Sequence, residues 1–218
     1  MTNSNDLVRQ AANSITFVVT VVVNAVAIAL PLNGLRTDEI SDRFPALVVP
    51  ADYAFSIWSV IYIALLGFTV IQALPSRRSM PVLRRLGLLP ALAGVLNAAW
   101  VVAWHFEAFA ITVPIMAALL ATLIVIHRRV REPEVRPSGR LDGALVVAPW
   151  SLYLGWITVA TIANVSQMLL WAGFTGGGIP QEVWAFAVLL IGLAIAASVM
   201  ARFNDAVYGA VVVWAYVA

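Results

Sequence analysis

Six apolar runs of membrane-spanning length, each closed off by a short polar stretch, leave this chain few folds to choose from. A helix needs about 20 apolar residues to cross the hydrocarbon of a bilayer. Candidate spans run over Ala12–Leu32, Ala51–Leu74, Leu86–Trp104, Ala108–Ile126, Ala144–Ala172 and Val183–Ala201. A seventh run, Ala206–Ala218, makes only about 20 Å of helix against a core of about 30 Å. It is expected either to continue beyond Ala218 or to stop inside the bilayer. Ala27-Ile28-Ala29 looks like a small-residue cleavage site. The first run is nevertheless longer than the apolar segment of about 7–15 residues in a signal peptide, and Asp6 offsets the Arg9 charge before it, so it reads as a membrane helix.

Composition removes the soluble alternative. Hydrophobic residues make up 62% of the 218 and charged residues 11%, where a soluble domain carries about 25% charged. The expected fold class is an all-α integral membrane protein of about seven helices, a single transmembrane domain over residues 1–218. All thirteen basic residues are arginine, set in short runs between apolar segments. The net charge of +2 is therefore a topology signal at a membrane surface, and no nucleic-acid partner is expected. With loops assigned alternately, eleven arginines fall on one side and two, Arg36 and Arg43, on the other. This asymmetry puts the N-terminus in the cytoplasm and the loops at Asn33–Pro50 and Gly176–Pro180 outside. With no cysteine, disulfides, thiolate nucleophiles and Cys-based metal sites are excluded. The stretch His127–Asp142, with five arginines, two glutamates and two prolines, reads as a mobile linker unable to pack a core of its own.

Three of the apolar runs carry an aromatic stripe. Phe55, Trp58 and Tyr62 fall at i, i+3, i+7 on the second, and Asn97, Trp100 and Trp104 repeat that spacing on the third. On the fifth, Tyr153, Trp156, Ala160, Asn164 and Gln167 continue it over four turns. At 3.6 residues per turn each set occupies a face about 80° wide. Amides facing lipid are costly, so these faces are expected to turn toward the bundle interior. They serve there either as ordinary core, with Asn97 and Asn164 as interhelical glue, or as the wall of an apolar pocket in which amides orient a flat ligand.

Other polar residues carry weaker signals. His105 and Glu107 sit at a helix connection, where solvation at the interface is the simplest reading. His105 as an axial haem ligand has no attachment motif to support it. Asn24 and Gln72 read as helix-contact groups, Asp52 as a cap of the second helix, and His127, Arg128 and Arg129 as headgroup anchors. Trp184 reads as an interfacial anchor. The Gly176–Gly178 turn has neither the preceding strand nor the Lys-Ser/Thr pair of a phosphate loop. No paired carboxylates, Ser-His-Asp set or metal-ligand spacing occurs within the apolar runs, which argues against hydrolytic or metal catalysis.

The stretch YLGWITVATIAN, Tyr153 to Asn164, resembles the fifth helix of the TspO/MBR family, the tryptophan-rich sensory or translocator proteins. Tyr153 stands three residues before Trp156, Ala160 and Thr161 four and five after it, and Asn164 eight after it, as in that family. Leu96-Asn97, Trp100 and Trp104 resemble its third helix, and Trp58 and Tyr62, after Pro50-Ala51-Asp52-Tyr53, its second. The resemblance runs from about Ser14 to Gln167. It implies a five-helix core over residues 1–172 with a C-terminal helical extension over 173–218. It also implies a planar apolar ligand, porphyrin or haem, held beneath the first loop, which would be a lid. Carried over by position, the binding residues are Trp58, Tyr62, Asn97, Trp100, Tyr153, Trp156, Ala160 and Asn164. The sequence departs from the family in having Pro149 four residues before Tyr153, Ala54 where a phenylalanine is usual, and no Tyr-Lys/Arg pattern after Asn164, so sterol binding is not implied.

The expectation is thus a receptor or carrier in a bacterial cell membrane, with no required cofactor and a tetrapyrrole as ligand. Its partners are the lipid bilayer and that ligand, and a homodimer is one assembly open to it. A secondary transporter of a small solute is the rival reading, although helices one to five carry no deep charge and no repeat of broken helices is evident. A porphyrin-degrading membrane enzyme that uses pocket tryptophans is another, and a purely structural partner without a pocket is a third.

Overall fold

The computed structural model describes residues 4–30, 32–35, 37–44, 46–137 and 139–218. Arg36 of the expected lid lies outside the described residues, as does the side chain of Asp38. The architecture is all-α. Five helices are long and apolar enough to cross a membrane, and two further apolar helices are shorter.

Helix α1 (Ser4–Ala29) leads through a loop holding the short α2 (Thr37–Asp42) and a 3-10 turn, Asp52–Ser56, into α3 (Ile57–Ala73). There Leu74 turns extended (φ −61, ψ 131), as the proline that follows it demands. Next, α4 (Pro81–Leu86) opens on a proline, a first-turn position that forfeits no helical hydrogen bond. Gly87, at φ 59 and ψ −128, then redirects the chain into α5 (Leu89–His105). Helix α6 (Phe109–Arg129) precedes the arginine-rich segment. After it, α7 (Arg140–Asp142) and a wide turn, Gly143–Val147, feed α8 (Ala148–Trp171). Helices α9 (Gln181–Phe203) and α10 (Ala206–Val217) form a hairpin, turned by Asn204 in the left-handed region.

Packing closes five helices into a ring in the order α1–α5–α6–α8–α3 and back to α1. The hairpin lies outside it, with α10 laid along α8 and α9 against both. Gly155 permits that approach, since a Cβ there would come within 3.0 Å of the Val211 Cβ and 3.2 Å of the Tyr208 carbonyl. The outer residues of α9, among them Val183, Phe186, Leu190 and Ile191, are exposed, as suits side chains that meet lipid.

One end of the ring is filled. Phe68 meets Trp150 edge-on at 4.9 Å, and Ile61, Leu65, Leu119, Leu123 and Ile126 are buried around them. The same end is knitted by polar groups, and here the structure corrects three expectations. First, the stretch before Ala12, left outside the first candidate span, is helical. It is the first turns of α1, with Asp6, Arg9, Gln10 and Asn13 buried. Asp6 pairs with Arg84 at 2.6 Å, Gln10 bonds the Gln72 carbonyl at 2.6 Å, and Asn13 accepts from the Ala91 amide at 3.1 Å. Second, the arginine-rich linker is fastened. Glu132 pairs with Arg85 at 2.6 Å, Asp142 pairs with Arg77 at 2.8 Å, and Val130 is fully buried. Third, His127 is no headgroup anchor. It is 1% exposed, with Nε2 2.7 Å from Asp205 Oδ2. Arg131 donates to the same oxygen at 2.6 Å and to Ser151 Oγ at 2.6 Å. Asp205 also caps α10, accepting from the Tyr208 amide. Burial pushes its carboxyl up, but the His127 bond and the Arg131 charge outweigh this and hold it at about 2.

Candidate functional site

The other end of the ring is hollow. A cavity of about 440 Å³ lies inside it beneath the first loop, within the range of about 300–1,000 Å³ that small-molecule sites occupy. Helices α3, α5 and α8 wall it with the three aromatic stripes, since helical spacing stacks each set on one face. Trp58 and Tyr62 lie parallel at 5.4 Å, and Trp100 and Trp104 at 5.3 Å. Trp156 stands edge-on to Phe55 at 5.6 Å and to Trp58 at 6.3 Å. Such offset and T-shaped pairs are the favoured aromatic geometries and hold the rings in fixed orientations.

Of the eight residues singled out by resemblance, Trp58, Tyr62, Asn97, Trp100, Trp156, Ala160 and Asn164 line this cavity. Tyr153 does not. It is 3% exposed and sits behind the wall, edge-on to Trp58 at 5.8 Å. The loop expected as a lid contributes Ser41, Val49 and Pro50, while sequence reasoning left out the walls given by α1 (Asn24, Ala27, Ile28) and α6 (Met116, Leu119). Asn24 had a signal, an amide amid an apolar run. The α6 residues had none, being ordinary apolar side chains.

Each of the amides is bonded within the protein. Asn24 donates to Asn97 Oδ1 at 2.9 Å. Trp100 Nε1 donates to Asn164 Oδ1 at 3.4 Å, and Asn164 donates to Thr112 Oγ1 at 2.9 Å. Gln167 donates to the Ser41 hydroxyl at 2.6 Å and its carbonyl at 3.1 Å, tying the loop to α8. Tyr62 Oη is buried without a hydrogen-bond partner among the described residues. Asp52 is not the helix cap that its position suggests: it lies in the first turn of the 3-10 segment, whose N-cap is Ala51 without a side-chain bond. Asp52, Ser56 and Ser59 are exposed and line the cavity, which sets its mouth along the start of α3.

Nor is the α5–α6 connection merely solvated. His105 is fully buried with Nδ1 2.8 Å from the Val101 carbonyl. Glu107, in the left-handed region at φ 54, pairs with Arg43 of the loop at 2.8 Å. Among the described residues, no group of three or more His, Cys, Asp or Glu is placed to hold a metal ion.

A ring of five apolar helices, enclosing an aromatic and amide-lined cavity under its first loop, is the arrangement that the resemblance implies. The family model described as TSPO-like protein matches residues 10–218. The chain belongs to this family. The match continues through α9 and α10, so the TSPO-like model extends over the hairpin as well as the ring. No curated protein and no solved structure matches the chain. Membership of the TSPO-like family makes the chain an integral membrane protein and suggests a ligand-binding or transport role.

Proposed function

We propose that this protein is a membrane receptor or carrier for a planar apolar ligand, a tetrapyrrole such as a porphyrin or haem, bound in the cavity between α3, α5 and α8. The cavity itself is the observation that carries the reading. Fixed indole and phenol rings from three helices enclose about 440 Å³, and a flat conjugated ligand gains most from contact with such rings. Amides on α1, α5 and α8 supply the few convergent polar groups that orient a ligand in an otherwise greasy site. A structural protein has no need of this hollow, because packed interiors avoid voids.

The test is a titration of the detergent-purified protein with protoporphyrin, followed by tryptophan quenching. The expected dissociation constant is on the order of micromolar, about −8 kcal/mol. Emission unchanged at about tenfold that concentration would remove the tetrapyrrole reading. We propose a bacterial cell membrane as its location, and the arginine asymmetry supports an orientation with the arginine-rich end in the cytoplasm. A single cysteine at Gly177 should then react with an impermeant reagent on intact cells, and labelling only after lysis would reverse the orientation.

A further inference from the structure

We infer that the arginine-rich end holds an anionic phospholipid, its phosphate bound between α1 and the α4–α5 turn by Arg84, with the buried charge of Arg9 behind it. This site lies at the opposite end of the ring from the cavity and does not depend on what the cavity binds.

Charges at this end are matched one to one except in one place. Among the described residues Glu132 pairs with Arg85, Asp142 with Arg77 and Asp205 with Arg131, one arginine apiece. Asp6 has two, Arg84 at 2.6 Å and Arg9 at 3.3 Å. A third arginine stands alongside. The Arg78 carbonyl accepts from Arg9 at 2.7 Å, and Arg78 Nε donates to the neutral amide of Gln10 at 2.8 Å. One carboxylate therefore leaves positive charge over.

A recess opens on this surplus. Asp6, Arg9 and Arg84 line it together with Asn5, Val8 and Leu88. Arg9 is 4% exposed, and its Nε and Nη1 have no hydrogen-bond partner among the described residues. A buried guanidinium with unused donors is costly, and an anion held beside it offsets that cost. Arg84 is the accessible group, its side chain 49% exposed. It gives Nε and Nη2 to Asp6, which leaves Nη1 for a second acceptor.

The rim decides which anion. Val8 is 61% exposed and Leu88 54%, and each begins an exposed apolar stripe, continued by Ile15 on α1 and by Leu92 and Val95 on α5. The two stripes run side by side, because Asn13 accepts from the Ala91 amide and Thr20 donates to the Gly94 carbonyl. A free phosphate gains nothing from such a rim. A phospholipid lays its phosphate on the arginines and its acyl chains along the stripes, as anionic headgroups do in basic pockets between membrane helices. One phosphodiester carries one negative charge, which the surplus balances. A zwitterionic headgroup brings its own cation to a place that already has too many.

The experiment titrates delipidated, detergent-purified protein with dioctanoyl phosphatidylglycerol, dioctanoyl phosphatidylcholine and glycerophosphoglycerol, the first headgroup without its chains. Melting temperature reads binding, and native mass spectrometry counts the lipid retained. Phosphatidylglycerol should raise the melting temperature saturably, leave one lipid bound and bind about tenfold more tightly than phosphatidylcholine. Arg9→Gln should cut that preference to less than about twofold. Val8→Glu, at an exposed position that packs no core, should do the same by placing a carboxylate on the rim, and it decides the matter if Arg9→Gln does not fold. Arg85→Gln removes an equal charge from the same surface outside the recess and should keep the preference. Equal binding of the two lipids by the parent, or an equal loss in Arg85→Gln, would overturn the site in favour of diffuse surface charge. Glycerophosphoglycerol binding as tightly as phosphatidylglycerol would overturn the lipid.

Discussion

The two ends of the bundle use polar residues in opposite ways. At the arginine-rich end charges are paired across helices: Asp6 with Arg84, Glu132 with Arg85, Asp142 with Arg77, and Asp205 with both His127 and Arg131. At the lid end the cavity lining carries neutral amides with one acid, Asp52, at the mouth, and Arg43 of the loop pairs with Glu107 at the surface. Of these the Asp205 set is buried, and such a set is costly to disrupt, because the partner left behind keeps its desolvation penalty. Neutral amides cost far less to rearrange. The contrast assigns rigidity to one end and adaptability to the other, which is what the proposed receptor would require.

The largest effect is expected at the clamp. Asp205→Ala leaves His127 and Arg131 facing one another without their shared carboxylate and removes the α10 cap. Loss of one partner from such a buried set costs about 3–5 kcal/mol, read as a fall in melting temperature in detergent. The cavity lies at the other end of the ring, so affinity for the ligand should change by less than about threefold, well under 1 kcal/mol. A large loss of affinity in protein that is still folded would mean that the two ends are not separable.

Next in size is the aromatic wall. Trp156→Phe removes an indole that is 2% exposed and in edge contact with Phe55 and Trp58. Ligand binding should weaken by about 1–3 kcal/mol, the scale of one well-placed aromatic anchor. Trp184→Phe is the control, since Trp184 on α9 bonds the Gly176 carbonyl and lines no part of the cavity. Asn164→Ala takes the acceptor from Trp100 and the donor from Thr112 and should cost about 1 kcal/mol of binding. Variants that melt early yet bind as the parent does would make the stripes core packing.

The same contrast explains what the sequence could reveal. The aromatic stripes were legible because residues three and four apart share a helix face, and because lipid forbids an amide to look outward. Ring closure around Trp58, Trp100 and Trp156 followed from these local rules and the family spacing. The clamps were not legible. Asp6 meets Arg84, and His127 meets Asp205, each across 78 positions, and no periodicity links them. Read alone, His127 at the end of an apolar run beside two arginines is indistinguishable from a headgroup anchor. Only the return of α10 along α8 brings Asp205 to it.

The smallest effects concern how the lid is held, and here two fastenings differ in kind. Gln167 to Ser41 is buried, with both partners at or under 9% exposure and two bonds at 2.6 and 3.1 Å. Arg43 to Glu107 is solvated, its side chains 46% and 32% exposed. An exposed pair contributes at most about 1 kcal/mol and weakens with salt. A buried acceptor that loses its donor carries its full desolvation penalty, about 1–3 kcal/mol. Gln167→Leu, which removes the donor, should therefore speed ligand release several-fold and independently of ionic strength. Arg43→Gln should change release by less than about twofold, and raised salt should abolish that difference. Stopped-flow quenching at low and high salt measures both. If Arg43→Gln proves the larger of the two, the lid is held by its surface charge rather than by the amide beneath it, and the adaptability of this end lies in solvent-exposed electrostatics instead of the cavity wall.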